Sequence, residues 1–441
     1  MSGAILGTRQ RQYALGVLTL VYMLNLTDRG LVILLLESIK ADLRLSDTQL
    51  GALTGVAFGL LYAVFGLPFA RWSDRGDRVR LASIAITIWG VTVMATLLVA
   101  SFIQLFVARM AAAVGEAGCK PPTYSLVGDL YPQPADRIRA MSIYWLGSPL
   151  SVILSFMIGG WLGQHYGWRA AFFVMGVPGL ILALVVRLTL ADPRVRRGAN
   201  VPARPAHSTM AVASLIWNRP ACRHVCIGLV LVFSINFGLS PWYGAFLIRS
   251  HGMQTDELGL WLGLIFSVSG VVALLAGGLV GSRLLAENDK GQLTMTALTV
   301  ALLVPFYLLF LLVPGKAQAL LAMVPLMLVF NFYVAPIYAL LQRLVPDEMR
   351  AMVLALVMLF ANVIGMGLCP PLVGILSDTM RPHFGTDSLR YAMLSVAALS
   401  LWASYHFWCA RRCVAADLAV ADRERVDAAR IGASAAAVLR G

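Results

Sequence analysis

Twelve mostly apolar stretches follow one another along the chain, at roughly 13–36, 49–70, 81–100, 102–130, 139–163, 170–190, 223–248, 257–283, 293–314, 317–344, 350–376 and 388–412. At about 1.5 Å per residue, helices of this length cross the ~30 Å hydrocarbon core of a bilayer. No water reaches that core, so a spanning segment must satisfy its own backbone, as a helix does. The pattern predicts an all-α integral membrane protein of twelve transmembrane helices. One long polar connection interrupts it, ADPRVRRGANVPARPAHSTMAVASLIWNRPAC at 191–222, which is basic and rich in proline. This divides the chain into a six-helix bundle over 1–190, a linker over 191–222, a second six-helix bundle over 223–412 and a tail over 413–441.

The composition agrees. Hydrophobic residues make up 59% of the 441 and charged residues only 13%, against about 25% charged in a soluble protein. Met1 to Arg11 lead into an apolar run of full spanning length with no small-residue cleavage site, so no cleaved signal peptide is expected. The net charge of +13 is distributed by topology. The N-terminus, the even-numbered loops and the tail hold 25 of the 35 Lys and Arg, the opposite side holds seven, and Arg29, Arg109 and Lys120 fall inside spans. That asymmetry places both termini in the cytoplasm and suits an anionic lipid surface, so no nucleic-acid partner is expected. Cys222/Cys226 and Cys409/Cys413 have helical i, i+4 spacing but no His or acidic set completes a metal site, and they read as packing residues.

The two halves echo each other. Ser46-Asp47-Thr48-Gln49-Leu50-Gly51 resembles Thr255-Asp256-Glu257-Leu258-Gly259, and at an offset of 208 Gly55 falls on Gly263 and Arg75 on Arg283. Arg139-Ala140-Met141 matches Arg350-Ala351-Met352 at an offset of 211, which also brings Gly163 onto Gly374. A duplication in one orientation implies two bundles about a pseudo-two-fold axis along the membrane normal, with a substrate site between them near the midplane.

The loop after the second span, Ala70-Arg71-Trp72-Ser73-Asp74-Arg75-Gly76-Asp77-Arg78, resembles the cytoplasmic signature G-x-L-A-D-R-x-G-R-R of the major facilitator superfamily. Asp74, Arg75 and Arg78 match in place, while Ala70, Trp72, Ser73 and Asp77 depart from it. Within that superfamily the chain is similar to the spinster-like branch. Three stretches carry the likeness: Asn25 to Arg29, Arg109 with the AAAVGEAGCKPPTYSLVGDLYP that follows it, and YGWRAAFFVMGVPGLILALVVRLTLADPR from Tyr166 to Arg194. The resemblance implies a secondary transporter, not an enzyme. Its implied cargo is a sphingosine phosphate or lysophospholipid, the class associated with animal members.

The candidate chemistry centres on LNLTDRGL at 24–31, two charges within a spanning run. An ionisable residue at that depth costs roughly 2.5–3.5 kcal/mol and marks a pathway or relay by default. Arg109 and Glu116 lie seven residues apart on the fourth span, two turns along one face and about 10 Å apart. Each therefore reaches another helix, and Arg29 with Glu116 and Asp28 with Arg109 or water is the expected pairing. Asp28 and Glu116 are the candidate proton-coupling residues, Asp28 first. Arg29, Arg109, Lys120 and Asn25 are the candidate substrate and charge-relay residues. Lys120 departs from the spinster-like pattern and stands one turn after Glu116, in the favourable helical order.

The second half contributes polar and aromatic residues as a candidate cavity wall: Asn236, Trp242, Tyr243, Asn331, Tyr333, Tyr338 and Asn362. Asp74, Arg75, Arg78 and Asp129 are expected to form a cytoplasmic gate. No cofactor is expected, the proton being the coupling ion, and the partners are membrane lipids and an amphipathic small-molecule or lipid substrate. The protein is expected to act as a monomer in a bacterial inner membrane. Export of drugs or other small organic molecules is the nearest alternative. A membrane-embedded lipid-modifying enzyme is the alternative from another class, and the six histidines, all near loops or span ends, offer it no catalytic set.

Overall fold

The computed structural model describes residues 7–193, 209–285, 288–346 and 349–438, and among them every regular element is helical. The first half folds as α1 (Thr8–Leu43), α2 (Asp47–Ser73), α3 (Arg78–Leu98), α4 (Phe102–Leu130), α5 (Asp136–Tyr166) and α6 (Trp168–Thr189). A short helix, α7 (Thr209–Asn218), leads into α8 (Pro220–Leu239), α9 (Trp242–His251), α10 (Thr255–Leu284), α11 (Asp289–Leu312) and α12 (Lys316–Arg343). The chain ends with α13 (Arg350–Phe360), α14 (Cys369–Phe384), α15 (Ser388–Ala397) and α16 (Leu399–Val438). Among the described residues, eleven helical runs are long and apolar enough to cross a membrane. The last of these, Met352–Arg425, is 74 residues long and turns at Gly385–Asp387, so it supplies two crossings.

Local sequence sets the helix ends. SDTQ at 46–49 forms a capping box: Ser46 Oγ accepts from the Gln49 N–H at 3.1 Å, and Gln49 Oε1 accepts from the Ser46 N–H at 2.9 Å. Asp77 caps α3 by accepting from the Arg80 N–H, and Ser101 caps α4 by accepting from the Gln104 N–H. The expected seventh span is divided by Ser240-Pro241 into α8 and α9, since proline removes a backbone donor. Short π-helical segments interrupt α5 at Leu154–Ile158 and join α13 to α14 at Ala361–Leu368.

By internal contacts the chain separates into two compact units. One holds the first six helices together with residues 237–267 and 366–393, and the other holds the rest of the second half. The first unit thus joins the sequence halves at one end, and the repeat shows how. A Cβ on Gly51 would lie 2.5 Å from the Pro370 carbonyl oxygen, and one on Gly55 2.6 Å from Pro371. At the repeat-related position, a Cβ on Gly259 would lie 2.1 Å from the Phe156 carbonyl oxygen. The glycines shared by the two halves mark where α2 meets α14 and α10 meets α5, because only a missing side chain permits backbones to come so close.

Candidate functional site

Three helices of the first unit build the charged cluster. On α1, Tyr22, Asn25 and Arg29 recur at helical spacing, with Asp28 beside them; on α4, Arg109, Glu116 and Lys120 do the same. The GEAG at 115–118 sets the rotation of α4. A Cβ on Gly115 would meet the Trp89 backbone nitrogen at 2.7 Å, so that face lies hard against α3. Glu116 is fully buried and engages Arg29 of α1.

The charges form two pairs. Arg29 donates to Glu116 through Nε, at 3.1 Å, and through Nη2, so both carboxylate oxygens are engaged. Arg109 donates through Nη1 to one oxygen of Asp28. Asp28 and Arg109 are buried, at 2% and 5% exposure. Phe58 of α2 stacks under both guanidinium groups, 4.4 Å from that of Arg29 and 5.0 Å from that of Arg109. Tyr62, one turn on, lies 4.8 Å from Arg29 and 5.5 Å from the Lys120 ammonium, which also faces the Tyr22 ring at 5.8 Å. Lys120 makes no ion pair among the described residues; two tyrosine rings, not Glu116, face its ammonium. The Asn25 amide is buried without a hydrogen-bond partner among the described residues.

Beside this cluster the first unit has a partly open cavity of about 190 Å³. Arg29, Arg109, Thr54 and Phe58 line one side, and Phe237, Ser240, Pro241 and Met366 line the other. The second-half wall expected from sequence is placed otherwise. Trp242 and Tyr243 are fully buried, Tyr243 packing on Phe266. In the second unit, Asn331 and Asn362 turn their amides back onto the Met327 and Met358 carbonyls of their own helical turns. Tyr333 is buried against Phe407, Tyr338 reaches the Met358 sulfur at 3.9 Å, and Asn236 is partly buried on α8. Spacing alone could not foresee that Asn331 and Asn362 satisfy their amides within their own helices.

A second ionic cluster went unread in the sequence. At the start of α2, Asp47 is buried and accepts from Arg249 of α9 at 2.7 and 2.8 Å, from Lys40 of α1 and from Ser377 of α14 at 2.7 Å. Arg249 also holds Glu37 at 2.6 Å. Burial alone would make Arg249 easier to deprotonate; its bonds to Asp47 and Glu37 outweigh that and raise its pKa above the usual arginine value. Asp378 of α14 completes the cluster by capping α2. Glu37, Lys40 and Asp47 stand around one loop at a span end, where charge is ordinary, so the sequence did not mark them as buried partners.

At the other end of the first unit, Arg78 is fully buried and donates to Asp192 at 2.5 and 2.9 Å, to Asp129 at 2.9 Å and to Ser125 at 2.9 Å. Arg78 and Asp129 therefore meet, and Asp192, beyond α6, joins them. The side chains of Asp74 and Arg75 lie outside those described. His224 and His406 place their Nδ1 atoms 2.8 Å apart in the second unit, and no group of three metal-ligating side chains occurs among the described residues.

Comparison with known proteins fits this architecture. The family model described as Major Facilitator Superfamily matches residues 18–370. A Mycolicibacterium smegmatis protein described as an MFS-type efflux pump is 35% identical over 409 residues, covering 92% of this chain and 93% of its own. Two crystal structures of a bacterial homologue of the human lysosomal transporter Spinster, both inward-facing, one unoccupied and one occupied, match with a TM-score of 0.82 at 25% identity. They cover 93% of this chain and 99% of theirs. The nucleoside transporter NupG shares the fold, with a TM-score of 0.71 at 13% identity.

Proposed function

Since the chain belongs to the major facilitator superfamily of membrane transporters, we propose that it is a secondary active transporter, coupled to protons and working by alternating access, whose cargo is an amphipathic or lipid-like anion. The two ion pairs beside the cavity carry this reading. Arg29 and Arg109 each contact both the cavity and a carboxylate. An anionic headgroup entering the cavity competes with Glu116 and Asp28 for those guanidinium groups. A carboxylate that loses its arginine in a buried site must find another cation or take up a proton. Binding of an anion and binding of a proton are thereby linked.

Asp28 is the proposed proton carrier. It is held by a single donor atom, whereas Glu116 is held by two, so Asp28 is the easier of the two to release. The apolar side of the cavity, with Phe237, Pro241 and Met366, suits the tail of an amphiphile. The likeness to the Spinster homologue supports the lipid class; the name of the M. smegmatis relative favours efflux of small organic molecules as a second reading. The excess of Lys and Arg on the side of the termini supports cytoplasmic termini in a bacterial inner membrane. The Asp47–Arg249 cluster then faces outward as a gate, and the Arg78 cluster lies at the cytoplasmic end. The protein is proposed to act as a monomer.

Uptake into proteoliposomes under an imposed proton gradient tests the proposal, with a fluorescent lysophospholipid or sphingosine phosphate as cargo. Wild type should accumulate the lipid with the gradient, and Asp28→Asn should only exchange it. Gradient-independent wild-type flux, or an Asp28→Asn variant that still concentrates the lipid, overturns the coupling role. Flux of other organic compounds, with the lipids ignored, selects the efflux reading.

A further inference from the structure

Among the described residues, Lys120 is a cation without an anion. Its ammonium rests between the Tyr22 and Tyr62 rings, while the carboxylate one turn before it on the same helix, Glu116, is taken on both oxygens by Arg29. Arg29 lines the cavity. Tyr62 lies within cation–π range of both Arg29 and Lys120, so moving either cation relieves the crowding of two positive charges at one ring.

We propose that Lys120 is a built-in replacement partner for Glu116. When an anionic cargo draws Arg29 toward the cavity, the Lys120 ammonium leaves the tyrosines and pairs with Glu116. This inference rests on the anion-transport reading above. The spacing permits it: Glu116 and Lys120 are i and i+4, neighbours on the helix surface, with the acid on the N-terminal side as such pairs favour. A lysine suits this because its flexible stem carries a compact charge that can swing between partners.

Two consequences follow. The first concerns protons. With Lys120 present, Glu116 stays charged as cargo binds, and the coupling proton falls to Asp28 alone. The second concerns cargo charge. Asp28, Glu116, Arg29, Arg109 and Lys120 sum to one positive charge when all are ionised, so the site matches a headgroup with a single negative charge, such as a carboxylate or phosphodiester. Lys120 is thus a positioning residue, acting through Glu116, and it sets the charge class of the cargo.

The test measures proton release or uptake on binding, with a pH-indicator dye in weakly buffered detergent solution. The probes are fluorescent lysolipids of one chain length with anionic phosphoglycerol, zwitterionic phosphocholine and cationic headgroups. The proteins are full-length wild type, Lys120→Met, Lys120→Arg and the double variant Lys120→Met/Glu116→Gln. Lys120→Met should take up one more proton than wild type on binding the anionic probe. Its affinity for that probe should fall about tenfold per unit rise in pH over the range in which the extra proton is taken up, and the double variant should lose that dependence. Lys120→Arg, which keeps the charge, should match the wild-type proton count and shows that the position tolerates substitution. Equal proton counts for wild type and Lys120→Met, with the anion still bound, overturn the replacement role and leave the anion reading standing. Preference of wild type for the cationic or zwitterionic probe overturns both.

Discussion

Arg249 and Asp47, 202 residues apart, meet fork to fork, with Nη2 to Oδ1 at 2.7 Å and Nη1 to Oδ2 at 2.8 Å. This bidentate contact is the strongest geometry an arginine and a carboxylate can adopt. It joins α9 to the start of α2, and so ties the two sequence halves within one compact unit. Asp47 is buried while the Arg249 side chain keeps 16% of its exposure, so the pair sits between the buried and surface limits. Arg249→Met should weaken this end by roughly 1–3 kcal/mol, less than a fully buried pair and more than a surface one. Spin labels near residues 45 and 252 should report a larger population of separated distances in the variant. An unchanged distance distribution shows that the packing of α2 on α14 holds this end without the ion pair.

Close backbone packing makes the same end sensitive to a single methyl group. A Cβ on Gly259 would come within 2.1 Å of the Phe156 carbonyl oxygen. Backbone cannot yield as a side-chain tip does, so Gly259→Ala should push α10 off α5. The expected result is increased alkylation of a cysteine placed at residue 164 or 254, with a transport rate at least severalfold lower. Alkylation at wild-type rates would show that α5 shifts at no cost.

Arg78 is of another kind. It is fully exposed to protein and not at all to solvent, and its partners Asp192 and Asp129 belong to the same unit. Removing it leaves the buried Asp192 carboxylate without its cation, a loss of about 3–5 kcal/mol. Arg78→Met should lower the melting temperature in detergent by several degrees. Asp192→Asn, which keeps the shape and one acceptor, should cost less. A variant of wild-type stability but impaired transport assigns Arg78 to gating.

These clusters differ in how far the sequence revealed them. Asp28, Arg29, Arg109 and Glu116 stand out because charge within an apolar run is costly and has to be balanced, and four such residues on two helices leave few pairings. Asp47, Arg249 and Asp192 lie at span ends, where charge is ordinary, so nothing in the local pattern distinguishes a buried partner from a solvated one. The repeat was legible as matched glycines, but its use was not: that Gly51 and Gly259 occupy equivalent contacts emerges only when α14 and α5 are in place. Of the second-half polar residues, Asn331 and Asn362 bond to their own helices, a solution that spacing cannot foresee. The division of the seventh span at Pro241 was written in the chain, since proline after serine interrupts a helix for a known steric reason.

His251 gives this end of the protein a dependence on pH. It closes α9, outside the membrane-spanning segments, with its ring edge-on to Phe246 at 5.4 Å. Arg390 of α15 lies over the same Phe246 ring at 5.9 Å. Burial first, and then the positive charge of Arg390, hold the imidazole pKa below its ordinary value. The neutral form is therefore the one the fold accepts. In the unfolded chain the same histidine titrates near pH ~6.5. As the pH falls through that value, the unfolded state binds a proton that the folded state refuses, so stability declines until the folded-state pKa is reached and then levels. Above pH ~6.5 neither state binds the proton and the full contribution is present. His251→Gln, which keeps an amide in place of the ring but does not titrate, should flatten this part of the profile. Melting temperatures of wild type and variant, measured from pH 5 to 8 at constant ionic strength, should converge at the acid end and separate toward neutrality, or the reverse if the glutamine packs better than the imidazole. In either case their difference should change with pH. Parallel profiles would show that Arg390 and Phe246 move away and leave His251 solvated.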